Sequence, residues 1–298
     1  MIIKNLLSFG VKKLREANID SANLDASILL AHIMGTSREL LLMNNNQLVH
    51  QDVIVEFENM LLRRAKKEPI AYIIQKKEFW GLDFKVTCDT LIPRPDSETI
   101  VETVIDKAQS IALMRNEDIS SVSLKIADIG TGTACLIISL IKELPSSVAV
   151  GVDISELALE VARINAKNHY IETKIKFIKS NWLESLEGKF DIIISNPPYI
   201  APSELDNLME DVKNYEPHLA LISSNDGMDS YRCIVNDLRS KLEIGGYAVF
   251  EVGKGQADKL AKMLEEKGFV IDEIRNDLAG IARCVVAKNN IIINQENL

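Results

Sequence analysis

The chain has 298 residues and no run of about 18 apolar residues, so no membrane-spanning helix is expected. Its four cysteines, Cys88, Cys135, Cys233 and Cys284, include no CxxC pair. That spacing argues against a zinc site and a disulfide framework, and buried free thiols are expected. The four histidines, His32, His50, His169 and His218, are scattered without metal-ligand spacing, so no metal is expected. No glycine-rich segment is followed by Lys and Ser or Thr, which excludes a P-loop. Basic charge is also short: the formal net charge is −9. Residues 1–80 carry 11 Lys/Arg against 9 Asp/Glu, and the remainder carries 23 against 34. An acidic larger part argues against nonspecific binding to a phosphate backbone. The amino terminus, "MIIKNLLSFGVKKLREANID", lacks the order of a signal peptide and places charges at helical intervals. A cytoplasmic protein is expected.

What is present is an ordinary globular composition, 47% hydrophobic and 26% charged. Residues 1–75 read as helical: Leu6, Leu7, Val11 and Leu14 share a helical face, as do Ala26, Leu29, Leu30 and Ile33. A third helix is expected over about 53–67, before Pro69. In 76–87, "KKEFWGLDFKVT", two short β-like runs flank Gly81 and predict a hairpin, and 76–90 reads as a hairpin linker. A helix follows from 96 towards 111, and the polar 115–123 reads as a linker or surface loop. From 124 onward strands alternate with helices. Strands are expected at 124–129, 148–153, 174–178, 190–195 and 246–252, with two more near 269–275 and 281–287. Helices are expected near 134–143, 155–168, 227–243 and 256–267. This alternation implies a mostly parallel sheet covered on both faces. The domains are therefore 1–75, helical, and 91–288, α/β, with 289–298 as a flexible tail.

Two stretches carry chemistry. "ADIGTGTACLIISL" follows the first strand of the α/β region and opens a helix; Gly130 and Gly132 permit a tight turn and close approach of backbone to a ligand. A turn without a ligand is the plain alternative. Asp153 ends the next strand, 23 residues after Gly130, where a carboxylate can accept from both hydroxyls of a ribose, and this favours a nucleoside cofactor. The pattern Gly130-Thr131-Gly132-Thr133-Ala134 is not the GxGxxG of a dinucleotide site. With the acidic strand end it resembles class I S-adenosylmethionine-dependent methyltransferases, in which a glycine is common where this chain has Ala134. On that resemblance the Ala134 methyl is expected near the methionine part of the ligand.

The second stretch, "FDIIISNPPYIAP", ends an apolar strand in Asn196-Pro197-Pro198-Tyr199. Proline cannot continue the ladder, so the strand stops at the sheet edge where open α/β folds bind ligands. In that position NPPY resembles the motif of methyltransferases acting on planar, amide-like NH2 groups. The Asn196 side-chain oxygen and the Pro197 carbonyl can each accept one N–H of such a group, and Tyr199 can stack on its plane. The prolines fix the backbone before any substrate arrives. A proline-terminated strand with an Asn cap is the plain alternative.

The order of "EFWGLDFKVTCDTLIPRPDSE", "NPPYI", "NYEPHLAL", "DGMDSYR", "GGYAVFEVGKGQ" and "DLAGIARCVVA" is similar to that of the bacterial release factor glutamine N5-methyltransferases. "LDASILLAHIMGTSREL" fits the same family, and the likeness covers roughly residues 5–287. It implies a class I methyltransferase fold, Rossmann-like with a mostly parallel seven-stranded sheet, behind a small all-helical domain that helps hold the substrate. It implies methyl transfer from S-adenosylmethionine to the glutamine amide of the Gly-Gly-Gln loop in class 1 peptide chain release factors, with S-adenosylhomocysteine as product. It assigns the cofactor to Gly130, Thr131, Gly132, Thr133, Ala134, Asp153, Asn181, Trp182 and Asn196, and the substrate to Asn196, Pro197, Pro198 and Tyr199. Asn196, Pro197 and Tyr199 are the implied catalytic residues. Asn181 stands where the family often has Asp. Arg94 and Glu98 are candidates either for cofactor contact or for ordering their own loop. A monomer is expected. The rivals are a nucleic-acid amino-methyltransferase, which needs a base-flipping pocket and a basic surface, and a non-catalytic binding module. "RRAKKEP", 63–69, reads as a solvated helix face rather than a nucleic-acid site, with contact to an acidic patch on a release factor as a third reading.

Overall fold

The computed structural model describes residues 1–277 and 279–290. Two compact units are present. One comprises Met1–Lys76 together with Leu208–Tyr215, and the other comprises the rest of the described residues.

The first unit is all helical: α1 (Ile3–Glu16), α2 (Ala22–Ile33), α3 (Arg38–Met43), α4 (Gln51–Ala65) and α5 (Ile70–Ile74). Leu6 and Leu14 of α1, Leu29 and Leu30 of α2, and Phe57 and Leu61 of α4 are fully buried and form its core. A Cβ at Gly10 would lie 2.6 Å from the Phe57 ring, so glycine there sets the approach of α4 to α1. Within the same core boundary Asp25 is buried and accepts from Arg64 Nε at 2.7 Å and Ser21 Oγ at 2.8 Å, which satisfies the buried carboxylate. The late segment 208–215 belongs here as well: the Tyr215 hydroxyl donates to Lys66 O at 2.7 Å.

The second unit opens on the two-stranded sheet of β1 (Lys76–Phe79) and β2 (Leu82–Lys85), with Lys76 itself grouped in the helical unit. The stretch read as a linker is packed into the α/β core, because Phe79 and Phe84 are buried in it. Then come α6 (Glu98–Arg115), β3 (Lys125–Ile129), α7 (Cys135–Glu143), β4 (Val148–Asp153), α8 (Glu156–Asn168), β5 (Ile175–Lys179) and β6 (Phe190–Ser195). The short α9 (Glu210–Tyr215), which belongs to the helical unit, precedes α10 (His218–Leu221), α11 (Asp229–Lys241), β7 (Leu242–Glu251), α12 (Ala257–Glu266), β8 (Val270–Asn276) and β9 (Ala282–Lys288). The seven strands are ordered β5-β4-β3-β6-β7-β9-β8, parallel except for β9, which runs antiparallel to both neighbours. One core lies under α6, α7 and α8, and a second lies under α11 and α12. The buried runs of β3 and β6 are mostly apolar because helices cover both faces, the exceptions being Asp128, Asp191 and Ser195. Chain order reverses on either side of β3, which neighbours β4 and β6, and this makes a crevice beyond the carboxyl ends of these strands.

Three details differ from the sequence reading. β7 starts at Leu242, four residues early, and its pairing with β6 slips between Phe190 and Ile192. The helices over 210–221 carry no strong apolar period and were not expected. Asn289, at the start of the expected loose tail, is buried, and its amide donates to Leu242 O and Glu243 O; 291–298 lie outside the described residues.

Candidate active site

The crevice holds a cavity of about 470 Å³. Its wall includes Gly130, Thr131, Gly132 and Thr133 after β3, Asp153 after β4, Asn181 and Trp182 after β5, and Asn196 and Pro198 after β6. Residues as far apart in sequence as Gly130 and Pro198 therefore converge on one space because parallel strands deliver their carboxyl ends to one edge.

The glycine turn is built from within. Gly130 and Gly132 have φ of +77° and +53°, a backbone region costly for residues with a Cβ. Gly132 N–H donates to Asp153 Oδ2 at 3.0 Å, and Ser155 N–H donates to Asp153 Oδ1 at 2.9 Å. Asp153 thus joins the turn to the start of α8 and keeps free lone pairs on both oxygens. Burial raises its pKa, opposed by the backbone N–H groups it accepts from. Behind the turn, Asp128 is buried; Thr131 Oγ1 donates to its Oδ2 at 2.7 Å, and Oδ1 has no partner. Burial pushes its pKa to about 7, with the Thr131 hydroxyl working against that rise. Asp128 lies behind the turn and off the cavity wall, where it braces Thr131. On the cavity wall, a carboxylate able to accept from a ribose and two glycines that allow close backbone approach fit S-adenosylmethionine.

Ala134 does not line the cavity. Its methyl is fully buried in the core beside α7, at φ +63°, so the alanine costs backbone strain rather than crowding a ligand. The expectation of a methyl next to the methionine part is corrected accordingly. Asn181 is exposed and donates to Glu184 Oε1 at 2.6 Å. Trp182 has φ of +52°, strained for a bulky residue, and packs partly on the second core.

On the β6 side, Asn196 and Pro198 face the cavity, whereas Pro197 and Tyr199 are outside its wall. Tyr199 packs on the second core with its hydroxyl 3.5 Å from Glu251 Oε1. In this structure the ring braces the loop and is not displayed for stacking. Its pKa is raised by burial and by Glu251. The loop is clamped from behind: Gln256 Nε2 donates to Tyr199 O at 2.9 Å, and Gly253 N–H donates to Gln256 Oε1 at 3.1 Å. Ile200 N–H donates to Leu221 O, and Ser223 N–H donates to Ile200 O.

Several residues were invisible to sequence reasoning. Glu216, buried, accepts from Ile92 N–H at 3.2 Å and from Arg94 Nη2 at 2.5 Å, tying together two loops that line the cavity. Arg94 lines the cavity and Glu98 does not; Glu98 accepts from Trp80 N–H at 3.0 Å and orders the hairpin. Asn165 on α8 accepts from Lys85 N–H and donates to Lys85 O and Thr133 O. Their only sequence signal was polarity within quoted family segments or an amphipathic helix. Cys88 and Cys233 are exposed and line the cavity, contrary to the expectation of four buried thiols; Cys135 and Cys284 are buried. Among the described residues, no helix is long and apolar enough to cross a membrane, and no group of His, Cys, Asp and Glu is placed to hold a metal.

The model of the PrmC N-terminal domain matches residues 5–74, and that of the methyltransferase small domain matches 101–214. The release factor glutamine methyltransferase of Bradyrhizobium diazoefficiens is 37% identical over 93% of this chain and 91% of its own. The chain belongs to the release factor glutamine methyltransferase family. A bifunctional methyltransferase of Rickettsia felis is also 37% identical, over 95% of this chain but only 57% of its own length, so the chain spans little more than half of that relative. A methyltransferase from Pyrococcus furiosus shares the fold, with a TM-score of 0.52 and 17% identity over 78% of this chain and all of its own. The seven-stranded sheet is the class I methyltransferase fold, and the family's helical domain precedes it in the chain.

Proposed function

We propose that this chain transfers a methyl group from S-adenosylmethionine to the side-chain amide nitrogen, N5, of the glutamine in the Gly-Gly-Gln motif of class 1 peptide chain release factors, modulating translation termination in the cytoplasm. The observation that carries this is the convergence of the Asp153-anchored glycine turn and Asn196-Pro198 on one cavity. Family membership supports the choice of substrate.

Gly130 to Thr133, Asp153, Asn181 and Trp182 would hold the cofactor, whose sulfonium supplies an activated methyl when bound. An amide nitrogen is a poor nucleophile because its lone pair is delocalised into the carbonyl. Asn196 Oδ1, on the cavity wall, accepts one N–H and fixes its direction, and the family resemblance assigns the second N–H to the Pro197 carbonyl. Two prolines and the Gln256 clamp pre-set that geometry, so alignment precedes binding. Developing positive charge on the nitrogen is met by these two oxygens, and no strong base is needed. Tyr199 serves as a brace through its packing and its approach to Glu251. The helical domain is assigned to docking the release factor.

The test is mass spectrometry of a purified release factor after incubation with the full chain and S-adenosylmethionine, with DNA in parallel. One added methyl on the Gly-Gly-Gln glutamine is expected. Labelling of DNA in place of the release factor would reject the proposal.

A further inference from the structure

Asn196 can serve as described only if its amide is turned with Oδ1 towards the substrate. The two ends of an amide are similar in shape and opposite in hydrogen-bonding character, so something must choose between them. The choice is made by Ser97, which stands beside Asn196 on the cavity wall and leads back to a buried carboxylate. Asn196 Nδ2 donates to Ser97 Oγ at 3.2 Å, and Ser97 Oγ donates to Glu251 Oε2 at 2.5 Å. Ser97 and Glu251 are both 3% exposed. A serine hydroxyl has one hydrogen. With that hydrogen committed to the carboxylate, Ser97 Oγ can only accept from Asn196. A flipped amide would set Oδ1 against Oγ, two acceptors with no proton between them.

We propose that Glu251, at the end of β7, is a positioning residue that acts through Ser97 to fix the Asn196 amide with its oxygen towards the cavity. The proposal rests on the functional reading above for its consequence in turnover, while the orientation itself is a property of the ligand-free protein.

Glu251 is held in place on every side. The Tyr231 hydroxyl donates to its backbone carbonyl at 2.8 Å, and the Tyr199 hydroxyl lies 3.5 Å from Oε1. Arg283 on β9 attracts it, and Asp96, in the turn before α6, repels it; Arg283 and Asp96 are themselves paired at 3.0 Å. Cys135 and the paired position Cys284 are the remaining titratable neighbours. Burial raises the Glu251 pKa to about 7, with Ser97, Arg283 and the Asn196 amide limiting the rise. Protonation turns the carboxyl into a donor to Ser97 Oγ. The serine hydrogen is then free to point at Asn196, and the flipped amide becomes acceptable. Correct orientation is therefore gained as pH rises through neutrality.

Two readouts test this. In ligand-free protein labelled with 15N-asparagine, the Asn196 side-chain signal is assigned by its loss in Asn196→Asp. It should titrate with a midpoint near 7, the pKa of Glu251, and be flat in Glu251→Gln. In methyl transfer to the release factor, kcat should rise through the same midpoint with KM unchanged. Glu251→Gln should lower kcat by roughly tenfold to a hundredfold and remove the acidic limb. Ser97→Ala should act in the same direction, and the effects of Ser97→Ala and Glu251→Gln should be less than additive. An Asn196 side-chain signal that is unchanged from the wild-type protein at every pH in whichever of Glu251→Gln and Ser97→Ala folds overturns the proposal. So does Glu251→Gln with unchanged kcat and pH profile. Absence of transfer by the wild-type chain rejects the functional reading instead, and the asparagine titration then decides the orientation by itself.

Discussion

Gly227 tests whether the loop after β6 is held in a pre-set geometry. It lies in the turn before α11 with φ of +79°, and a Cβ there would be 2.5 Å from Tyr199 O and 2.9 Å from Gln256 Nε2. Gly227→Ala therefore meets two costs. An L-residue in the left-handed region costs about 1–2 kcal/mol. The methyl also collides with a backbone oxygen, which cannot rotate away as a flexible side chain would. Reaching van der Waals distance requires the Tyr199 carbonyl to retreat by roughly 1 Å, and this breaks the Gln256 clamp. Loss of that hydrogen bond adds about 1 kcal/mol, so the total is about 2–3 kcal/mol. A displacement of that size, three residues from Asn196, should lower single-turnover methyl transfer by on the order of a hundredfold. The added methyl meets Tyr199, Gln256 and Ala201 and no residue of the glycine turn, so affinity for S-adenosylhomocysteine by calorimetry should hold. Thermal unfolding and rapid-quench transfer to a release factor provide the assay. A variant that melts and turns over like the wild-type protein would refute the argument that this loop is clamped from behind.

Asp153→Ala should weaken S-adenosylhomocysteine binding by roughly tenfold to a hundredfold, since charge-assisted hydrogen bonds contribute on the order of 1.5–3 kcal/mol. An unchanged calorimetric titration would remove Asp153 from the site. Asn196→Ala should lower single-turnover transfer by about a hundredfold or more while largely sparing cofactor affinity; a near wild-type rate would show that the amide does not contact the reacting nitrogen. Asp128 and Glu251 both have folded pKa values raised from the ordinary carboxyl range to about 7 by burial. The folded state then holds more protons than the unfolded state between about pH 4 and about pH 7. Their contribution to stability is present below that window and is lost as pH rises through it. The carboxylates with lowered values, such as Asp226 at about 2, act below it. Denaturant unfolding of ligand-free protein should fall in free energy across the window, by on the order of 3 kcal/mol per group. Asp128→Asn should remove part of the slope, and an equal slope in that variant would show that its burial is not the cause.

By itself the sequence determined the element types and their chemistry. Apolar period and alternation marked the helices of 1–75 and the strands from 124 onward, because burial on one face or on both leaves a periodic imprint in a linear chain. Glycines at 130 and 132, the acid at 153 and the prolines at 197 and 198 were legible because each residue type is tied to a local backbone demand. What only the tertiary structure decided was what lies behind these residues. Ser97, Glu251 and Asn196 come from an α6-leading turn, the end of β7 and the end of β6, and no local periodicity relates them. Glu216 meets Arg94 across 122 residues, and Asn165 meets Lys85 across 80. Ala134 looked like a change in the ligand site and proved to be a core methyl, because a left-handed φ turns its Cβ away from the cavity. Tyr199 looked displayed and is packed, because Gln256 and Gly253 draw its backbone and ring inward. Side-chain direction at a turn depends on φ and on neighbours brought in by the sheet order, and neither is written in the spacing of one strand.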